Sequence, residues 1–132
     1  MIRTDRAGEF PDIASLDAPG MTVAVQVGTT GEQAARKHMP QAKVLTFTTA
    51  GEAASDVLTG QSDVLVFDDP FVRNFMKTSP GKLALVGEAF TTEPIGIALR
   101  MGQDALRAKI ESTLDAMDAD GFMEKLRERW RK

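Results

Sequence analysis

Two stretches of the sequence carry polar residues where a charged small molecule could bind. The first is Gly28-Thr29-Thr30, which follows the apolar segment 22–27 and precedes a predicted helix. Backbone N–H groups at the start of a helix have no acceptor within it and attract anions, and a threonine hydroxyl adds a further donor. A carboxylate or a phosphate would suit this stretch. The alternative is structural: Thr29 caps the helix, Glu32 completes a Thr-x-x-Glu capping box, and nothing binds.

The second stretch is Asp68-Asp69-Pro70, which follows the apolar segment 64–67. Asp69 is predicted to cap the next helix, with Pro70 in the first helical position, where a missing N–H costs nothing. Asp68 then lies at the end of a buried strand, where its carboxylate could bind an ammonium group. The alternative is an exposed aspartate in a strand–helix turn, or an aspartate that shares the capping role.

The two stretches together match the two charges of an α-amino acid. The helix N-terminus would bind the carboxylate, and Asp68 would bind the ammonium group. Neighbouring strands lie about 4.8 Å apart, so groups at the ends of adjacent strands are separated by a distance on the scale of such a zwitterion.

The composition excludes several other classes of function. The chain has 132 residues and a net charge of −3, and its 16 basic residues are scattered until the end of the chain, which argues against nucleic-acid binding. No apolar run approaches the roughly 20 residues of a membrane-spanning helix. The absence of cysteine excludes disulfides and thiolate metal sites, and one histidine, His38, leaves little for metal binding or acid–base catalysis. We therefore predict no cofactor and no metal.

Apolar segments that alternate with helical patterns predict an α/β fold. Strands are predicted at residues 22–27, 43–47, 64–67, 82–86 and 95–99, with a helix after each of the first three and two further helices at 103–117 and from 122 onward. Continuous apolar strands are typical of a parallel sheet covered by helices on both faces. The prediction is a three-layer αβα domain with a mainly parallel sheet, a flavodoxin-like strand order 2-1-3-4-5, and segment 95–99 at or near an edge. In such sheets, ligands bind beyond the carboxyl ends of the strands.

Four stretches, in this order and spacing, resemble the second half of the type II periplasmic solute-binding proteins, in the polar-amino-acid family of ABC importers. They are LDAPGMTVAVQVGTTGE (16–32), LTGQSDVLVFDDP (58–70), EPIGIALR (93–100) and DADGFMEKLRERW (118–130). The resemblance implies one lobe of that two-lobed fold. Residues 1–20 would be a loosely ordered lead-in and residues 21–92 the second lobe. Residues 93–132 would be a hinge strand and a C-terminal helix pair, which could be exchanged between two copies.

The resemblance also implies six ligand-contacting residues: Gln26, Gly28, Thr29, Thr30, Phe67 and Asp68. Thr29 and Thr30 would lie near the ligand carboxylate, and Asp68 would pair with its ammonium group. Phe67 occupies the position just before that aspartate, which in relatives also approaches the ligand.

The implied function is that of a non-enzymatic amino-acid-binding lobe, related to the substrate-capture component of an ABC importer. Its partners would be an amino acid or a similar zwitterion and the importer's membrane subunits, and its location would be periplasmic. Residues 1–10 contain no apolar signal segment, so the chain expressed as given would be cytosolic.

The first lobe is missing, together with its share of the ligand contacts, so we expect a truncated or half-protein with weak binding. One alternative is an enzyme similar to prephenate or arogenate dehydratases on the same fold. No unassigned histidine or glutamate adjoins Thr30 or Asp68 as its catalytic acid. A second alternative is an oligomeric structural unit without a ligand, including a homodimer formed through the apolar faces of the C-terminal helices.

Overall fold

The computed structural model describes residues 1–130, which form two compact units, one of residues 1–92 and one that begins at Glu93. Residues 131 and 132, the end of the basic tail, lie outside the described part.

The first unit contains a mixed five-stranded sheet. Its strands are β1 (Ile2–Arg3), β2 (Thr22–Gln26), β3 (Lys43–Phe47), β4 (Val64–Leu65) and β5 (Leu83–Ala84), in the spatial order β3-β2-β4-β1-β5. Strands β3, β2 and β4 are parallel, whereas β1 is antiparallel to both of its neighbours, β4 and β5. The predicted order 2-1-3 of the first three predicted strands is therefore confirmed.

Helices cover both faces of this sheet, as expected for a three-layer domain. They are α1 (Thr30–His38), α2 (Ala50–Leu58) and α3 (Asp69–Thr78). In β2, Val23 and Val25 join the core cluster that includes Ala35 of α1, whereas Ala24 joins the cluster that includes Val57 of α2. All three β2 side chains are fully buried, which explains why the strand is a continuous apolar run.

Residues 1–20 are not the loosely ordered lead-in that was predicted. They contain β1 and two short 3₁₀ helices, Thr4–Glu9 and Ala14–Leu16, and both Ile2 and Leu16 are fully buried. The Leu65 N–H donates to the Met1 carbonyl at 2.8 Å, so the start of the chain pairs with the middle of the sheet. A two-residue strand is too short for a periodic pattern, and its partner lies more than sixty residues away. The sequence pattern therefore missed it.

The prediction of a strand at residues 95–99 is wrong. The structure assigns no strand to these residues, and the side chains of Ile95 and Ile97 are 98% and 62% exposed. An apolar β-branched pattern provides strand propensity, but a strand forms only where another backbone accepts its hydrogen bonds. The fifth strand of the sheet is instead β1, which lies between β4 and β5. Strands β4 and β5 are also shorter than the predicted segments 64–67 and 82–86.

The second unit contains two helices, α4 (Asp104–Ala119) and α5 (Phe122–Trp130), which pack against each other. Gly121 connects them with φ of 75°, a conformation that glycine adopts without strain. The Asp120 carboxylate then accepts a hydrogen bond from the Phe122 N–H at 2.8 Å. Both helices were predicted at nearly these positions. No described residue of this unit is buried, and no described helix is both long and apolar enough to cross a membrane.

Candidate functional site

The carboxyl ends of three parallel strands meet at one edge of the sheet. Gln26, the last residue of β2, pairs with Phe47, the last residue of β3. On the other side Ala24 pairs with Leu65, and continuing that register by two residues brings Gln26 level with Phe67. The six predicted site residues follow or end two of these strands, β2 and β4, as the alternating pattern implied.

Thr29 caps α1, as predicted. Its backbone is extended, with φ of −97° and ψ of 163°, and its hydroxyl accepts the Glu32 N–H at 3.3 Å. The same hydroxyl donates its one proton to the Gln26 carbonyl at 2.8 Å. Thr29 therefore holds the β2–α1 turn together through bonds in both directions. Contact between Thr29 and a ligand stays a prediction.

The predicted capping box at Thr29 and Glu32 is only half formed. The Glu32 carboxylate accepts the N–H of Gly28 at 2.8 Å, where the reciprocal bond of a capping box would involve the N–H of the cap residue itself. Gly28 has φ of 74°, and this left-handed turn presents its N–H to the glutamate. The bond from Gly28, and then the pairing with Arg36 at 2.8 Å, lower the pKa of Glu32. The Gly28 amide is thereby engaged within the protein.

The second predicted capping box is complete. Thr49 accepts the Glu52 N–H at 3.2 Å, and the Glu52 carboxylate accepts the Thr49 N–H at 2.9 Å. The side-chain amide of Gln26 donates to the carbonyl of Thr48 at 3.2 Å, which connects the end of β2 to the residue before this cap. Gln26 is half-buried and thus belongs to the framework of the strand ends.

Asp68, and not Asp69, is the residue that precedes the helical turn of α3. The Val72 N–H donates to the Asp68 carbonyl at 3.0 Å, so the helix begins one residue earlier than predicted and Pro70 takes its second position. Asp69 is the first helical residue, and its carboxylate pairs with Arg73 at 2.8 Å. The exposed Asp68 carboxylate makes no capping bond, and it has no hydrogen-bond or ion-pair partner among residues 1–130. The carboxylate remains available to a cation.

Phe67 is half-buried and packs toward α3. Its ring meets the ring of Phe71 edge-on at 5.0 Å, and Phe71 stacks on Phe75 at 6.0 Å. These rings lie against the cluster of α2 and α3. The structure thus shows a packing role for Phe67, and its approach to a ligand stays a prediction.

Gly31 connects the two halves of the site and was not singled out by sequence reasoning. A β-carbon built at Gly31 would lie 3.2 Å from the carbonyl oxygen of Val66. The start of α1 therefore lies directly against the end of β4, immediately before Phe67 and Asp68. The only signal in the sequence was a glycine at the second position of a helix, where most residues are better helix formers.

The site thus combines a helix N-terminus and an exposed carboxylate on adjacent strand ends. The N–H of Gly31, the second helical residue, has no acceptor within α1. Thr30, the first helical residue, is exposed beside it. This arrangement can hold an anion at α1 and a cation at Asp68. Within residues 1–130 there is no cluster of three or more histidine or carboxylate groups placed to hold a metal ion.

The chain is similar in sequence to known amino-acid-binding proteins. No family model matches the chain. It is 34% identical over 127 residues to the ABC transporter glutamine-binding protein GlnH of Bacillus subtilis, covering 96% of this chain and 46% of the relative. The chain is homologous to part of the amino-acid-binding proteins of ABC transporters. This relationship confirms the resemblance drawn from the four sequence stretches.

Solved structures of type II periplasmic binding proteins share the fold of this chain. One is a putative binding component of an ABC transporter from Wolinella succinogenes complexed with lysine, with a TM-score of 0.84, 30% identity, and coverage of 98% of this chain and 56% of that chain. Another is AncCDT-1, an ancestral amino acid-binding protein described as a precursor of cyclohexadienyl dehydratase, with a TM-score of 0.79, 37% identity, and coverage of 99% and 56%. This chain spans about half the length of the proteins it matches.

Proposed function

We propose that this chain is an amino-acid-binding lobe, related to the substrate-capture component of an ABC importer. The observation that carries the proposal is the contact between the start of α1 and the end of β4 at Gly31 and Val66, beside the exposed carboxylate of Asp68. Relatives named for glutamine binding or solved with lysine support an α-amino acid as the ligand class.

In this proposal the two charges of the ligand meet different elements. Asp68 pairs with the ammonium group, and the N-terminus of α1 at Thr30 and Gly31 receives the carboxylate. Gly28 and Thr29 shape that turn, with their own hydrogen-bonding groups engaged by Glu32 and Gln26. Gln26 and Phe67 lie beside one another at the ends of β2 and β4, where we expect both to contact the ligand.

We expect the affinity of this chain alone to be no better than about millimolar, or about −4 kcal/mol. High affinity for a small molecule requires burial of most of its surface. This chain spans about half the length of its relatives, so it supplies only part of such an enclosure. Each charged contact is also weakened by the high dielectric of the surrounding water.

The decisive experiment compares two neighbouring aspartates. A panel of amino acids is titrated into isotope-labelled protein, and dissociation constants are measured from chemical-shift changes, which detect millimolar binding. Asp68→Asn should weaken binding by about tenfold, because the ammonium group loses its negatively charged partner and keeps only a neutral acceptor. Asp69→Asn is the matched control, since Asp69 is also exposed but already pairs with Arg73. Unchanged binding in Asp68→Asn, or equal weakening in both variants, would refute the proposal.

Binding, and not catalysis, is the function we propose. A dehydratase is the second candidate, because one structural neighbour is described as a precursor of cyclohexadienyl dehydratase. The relatives named as binding proteins favour the first reading. An assay with prephenate and arogenate tests the choice, because the aromatic product is detected by its absorbance. Conversion of either substrate by the purified chain would overturn the proposal that the chain only binds its ligand.

The remaining parts of the proposal concern location and partners. By its relatives, the chain would work outside the cytoplasmic membrane and would meet the membrane subunits of an importer. Association of two copies through α4 and α5 also stays a prediction. Leu106, Phe122 and Trp130 are 44%, 48% and 78% exposed, so these helices carry apolar side chains that a second copy could cover. A strictly monomeric mass by light scattering at micromolar concentration would exclude it.

A further inference from the structure

The same four-residue pattern begins two helices of the first unit. Thr29-Thr30-Gly31-Glu32 begins α1, and Thr49-Ala50-Gly51-Glu52 begins α2. In both, the threonine caps the helix and accepts the glutamate N–H, and the glycine is the second helical residue. Neither glycine has a positive φ. The backbone conformation therefore requires glycine at neither position, and alanine would strengthen either helix on propensity alone.

The surroundings of the two glycines differ. A β-carbon at Gly51 would meet only the hydroxyl of its own cap, Thr49, at 3.9 Å. A β-carbon at Gly31 would meet the Val66 carbonyl oxygen at 3.2 Å and its carbonyl carbon at 3.7 Å. The first of these distances is shorter than ordinary van der Waals contact.

The Val66 carbonyl is poorly placed to retreat from such a contact. Val66 is buried, and its N–H donates to the Ala24 carbonyl of β2 at 3.1 Å. A methyl group at position 31 would therefore displace the start of α1 by a few tenths of an ångström. That movement would separate the N-terminus of α1 from the segment that carries Asp68, two residues beyond Val66.

We propose that Gly31 is a positioning residue that sets the spacing between the α1 N-terminus and the Asp68 carboxylate, and thereby selects α-amino acids over β-amino acids. In an α-amino acid one carbon separates the carboxylate carbon from the ammonium nitrogen, whereas in a β-amino acid two do. The close approach of α1 to the segment after β4, at Gly31 and Val66, would favour the shorter ligand. This inference rests on the proposed function and names the ligand geometry that the same site prefers.

The test uses two isomers and two matched variants. L-alanine and β-alanine have the same atoms and the same charges, and they differ in the separation of those charges. Dissociation constants for both are measured by chemical-shift titration up to tens of millimolar, in the unaltered chain, Gly31→Ala and Gly51→Ala. We expect the preference for L-alanine to fall roughly two- to fivefold in Gly31→Ala, a part of the about tenfold that one charged hydrogen bond provides. Gly51→Ala should leave the preference unchanged.

Thermal unfolding supplies a second readout that needs no ligand. Gly51→Ala should raise the melting temperature by a few degrees through helix propensity. Gly31→Ala should raise it less, or lower it, because the contact with Val66 opposes the same gain. Measuring Gly31→Ala in the Gly51→Ala background also protects the test against loss of the fold.

The outcomes separate the two ideas. An equal gain in melting temperature from both substitutions, or an unchanged isomer preference in a Gly31→Ala variant that still binds, refutes the positioning role and leaves the proposed function intact. Equal weakening of both isomers has the same meaning. If the unaltered chain binds no amino acid over the whole panel, the proposed function fails and this inference fails with it.

Discussion

Asp63 provides the strongest test of how the amino-terminal segment is held to the sheet. One carboxylate oxygen accepts the N–H of Thr22 at 2.8 Å and its hydroxyl at 2.6 Å. The other oxygen pairs with the guanidinium of Arg6, in the first 3₁₀ helix. The N–H of Asp63 in turn donates to the Thr22 hydroxyl at 3.0 Å. Asp63, the residue before β4, thus connects β4 to the start of β2 and to the segment that follows β1.

The substitution Asp63→Asn keeps the shape of the side chain and removes its charge. A hydrogen bond to a charged group contributes about 1.5–3 kcal/mol, and a partly exposed ion pair contributes up to about 1 kcal/mol. The side chain of Asp63 is 23% exposed, so solvent replaces these partners only in part. We expect the free energy of unfolding to fall by about 2–4 kcal/mol at pH 7.

The pH dependence of this loss follows from the pKa of Asp63. Burial raises that pKa, but the hydrogen bonds from Thr22 and the charge of Arg6 outweigh burial and leave the pKa below its ordinary value. A carboxylate with a depressed pKa stabilises the folded state above its unfolded pKa of about 3.9, and this contribution is lost as the pH falls through the folded pKa. The difference between the unaltered chain and Asp63→Asn should therefore be largest near neutral pH and shrink below about pH 4.

Urea unfolding followed by circular dichroism at pH 7 and pH 3 measures both effects. Asp5→Asn is the control, because Asp5 lies in the same segment but is 69% exposed and pairs with Arg3 at 3.3 Å. It should cost less than about 1 kcal/mol. A stability of Asp63→Asn equal to that of the unaltered chain at pH 7, or a loss of the same size at both pH values, would refute the reasoning.

Two further predictions concern local packing around the site. Thr29→Ala and Thr49→Ala should each lower the free energy of unfolding by about 1 kcal/mol, because each removes a helix cap, and urea titration of the two variants checks this. A stability unchanged by either would contradict the observed capping bonds. Phe71→Leu should lower the free energy of unfolding by about 0.5–1.5 kcal/mol more than the loss of buried apolar area accounts for. The reason is that the Phe71 ring contacts the rings of both Phe67 and Phe75. A double-mutant cycle with Phe75→Leu measures this coupling, and strictly additive losses would exclude it.

Much of the candidate site could be predicted because its determinants are local. The caps at Thr29 and Thr49 depend on hydrogen bonds to residues three positions away, so the spacing of threonine and glutamate indicates them directly. The position of the α3 start was wrong by one residue, because a sequence with two adjacent aspartates before a proline does not distinguish which of them precedes the helix. The Val72 N–H bond to the Asp68 carbonyl decides it.

The sequence by itself determined the alternation of strands and helices, the order of the three parallel strands β3, β2 and β4, and the two stretches that end at the same edge of the sheet. The alternation and the strand ends follow from hydrophobic periodicity and capping, which act over a few residues. The strand order follows from the rules that govern connections between parallel strands. Only the tertiary structure decided that Met1 to Arg3 complete the sheet in place of residues 95–99, and that Asp63 holds Arg6 and Thr22. It also decided that Gly31 lies against Val66. These contacts join residues between 35 and 82 positions apart. Such pairs leave no periodic signal in a single sequence, because their energy depends on which surfaces the whole fold brings together.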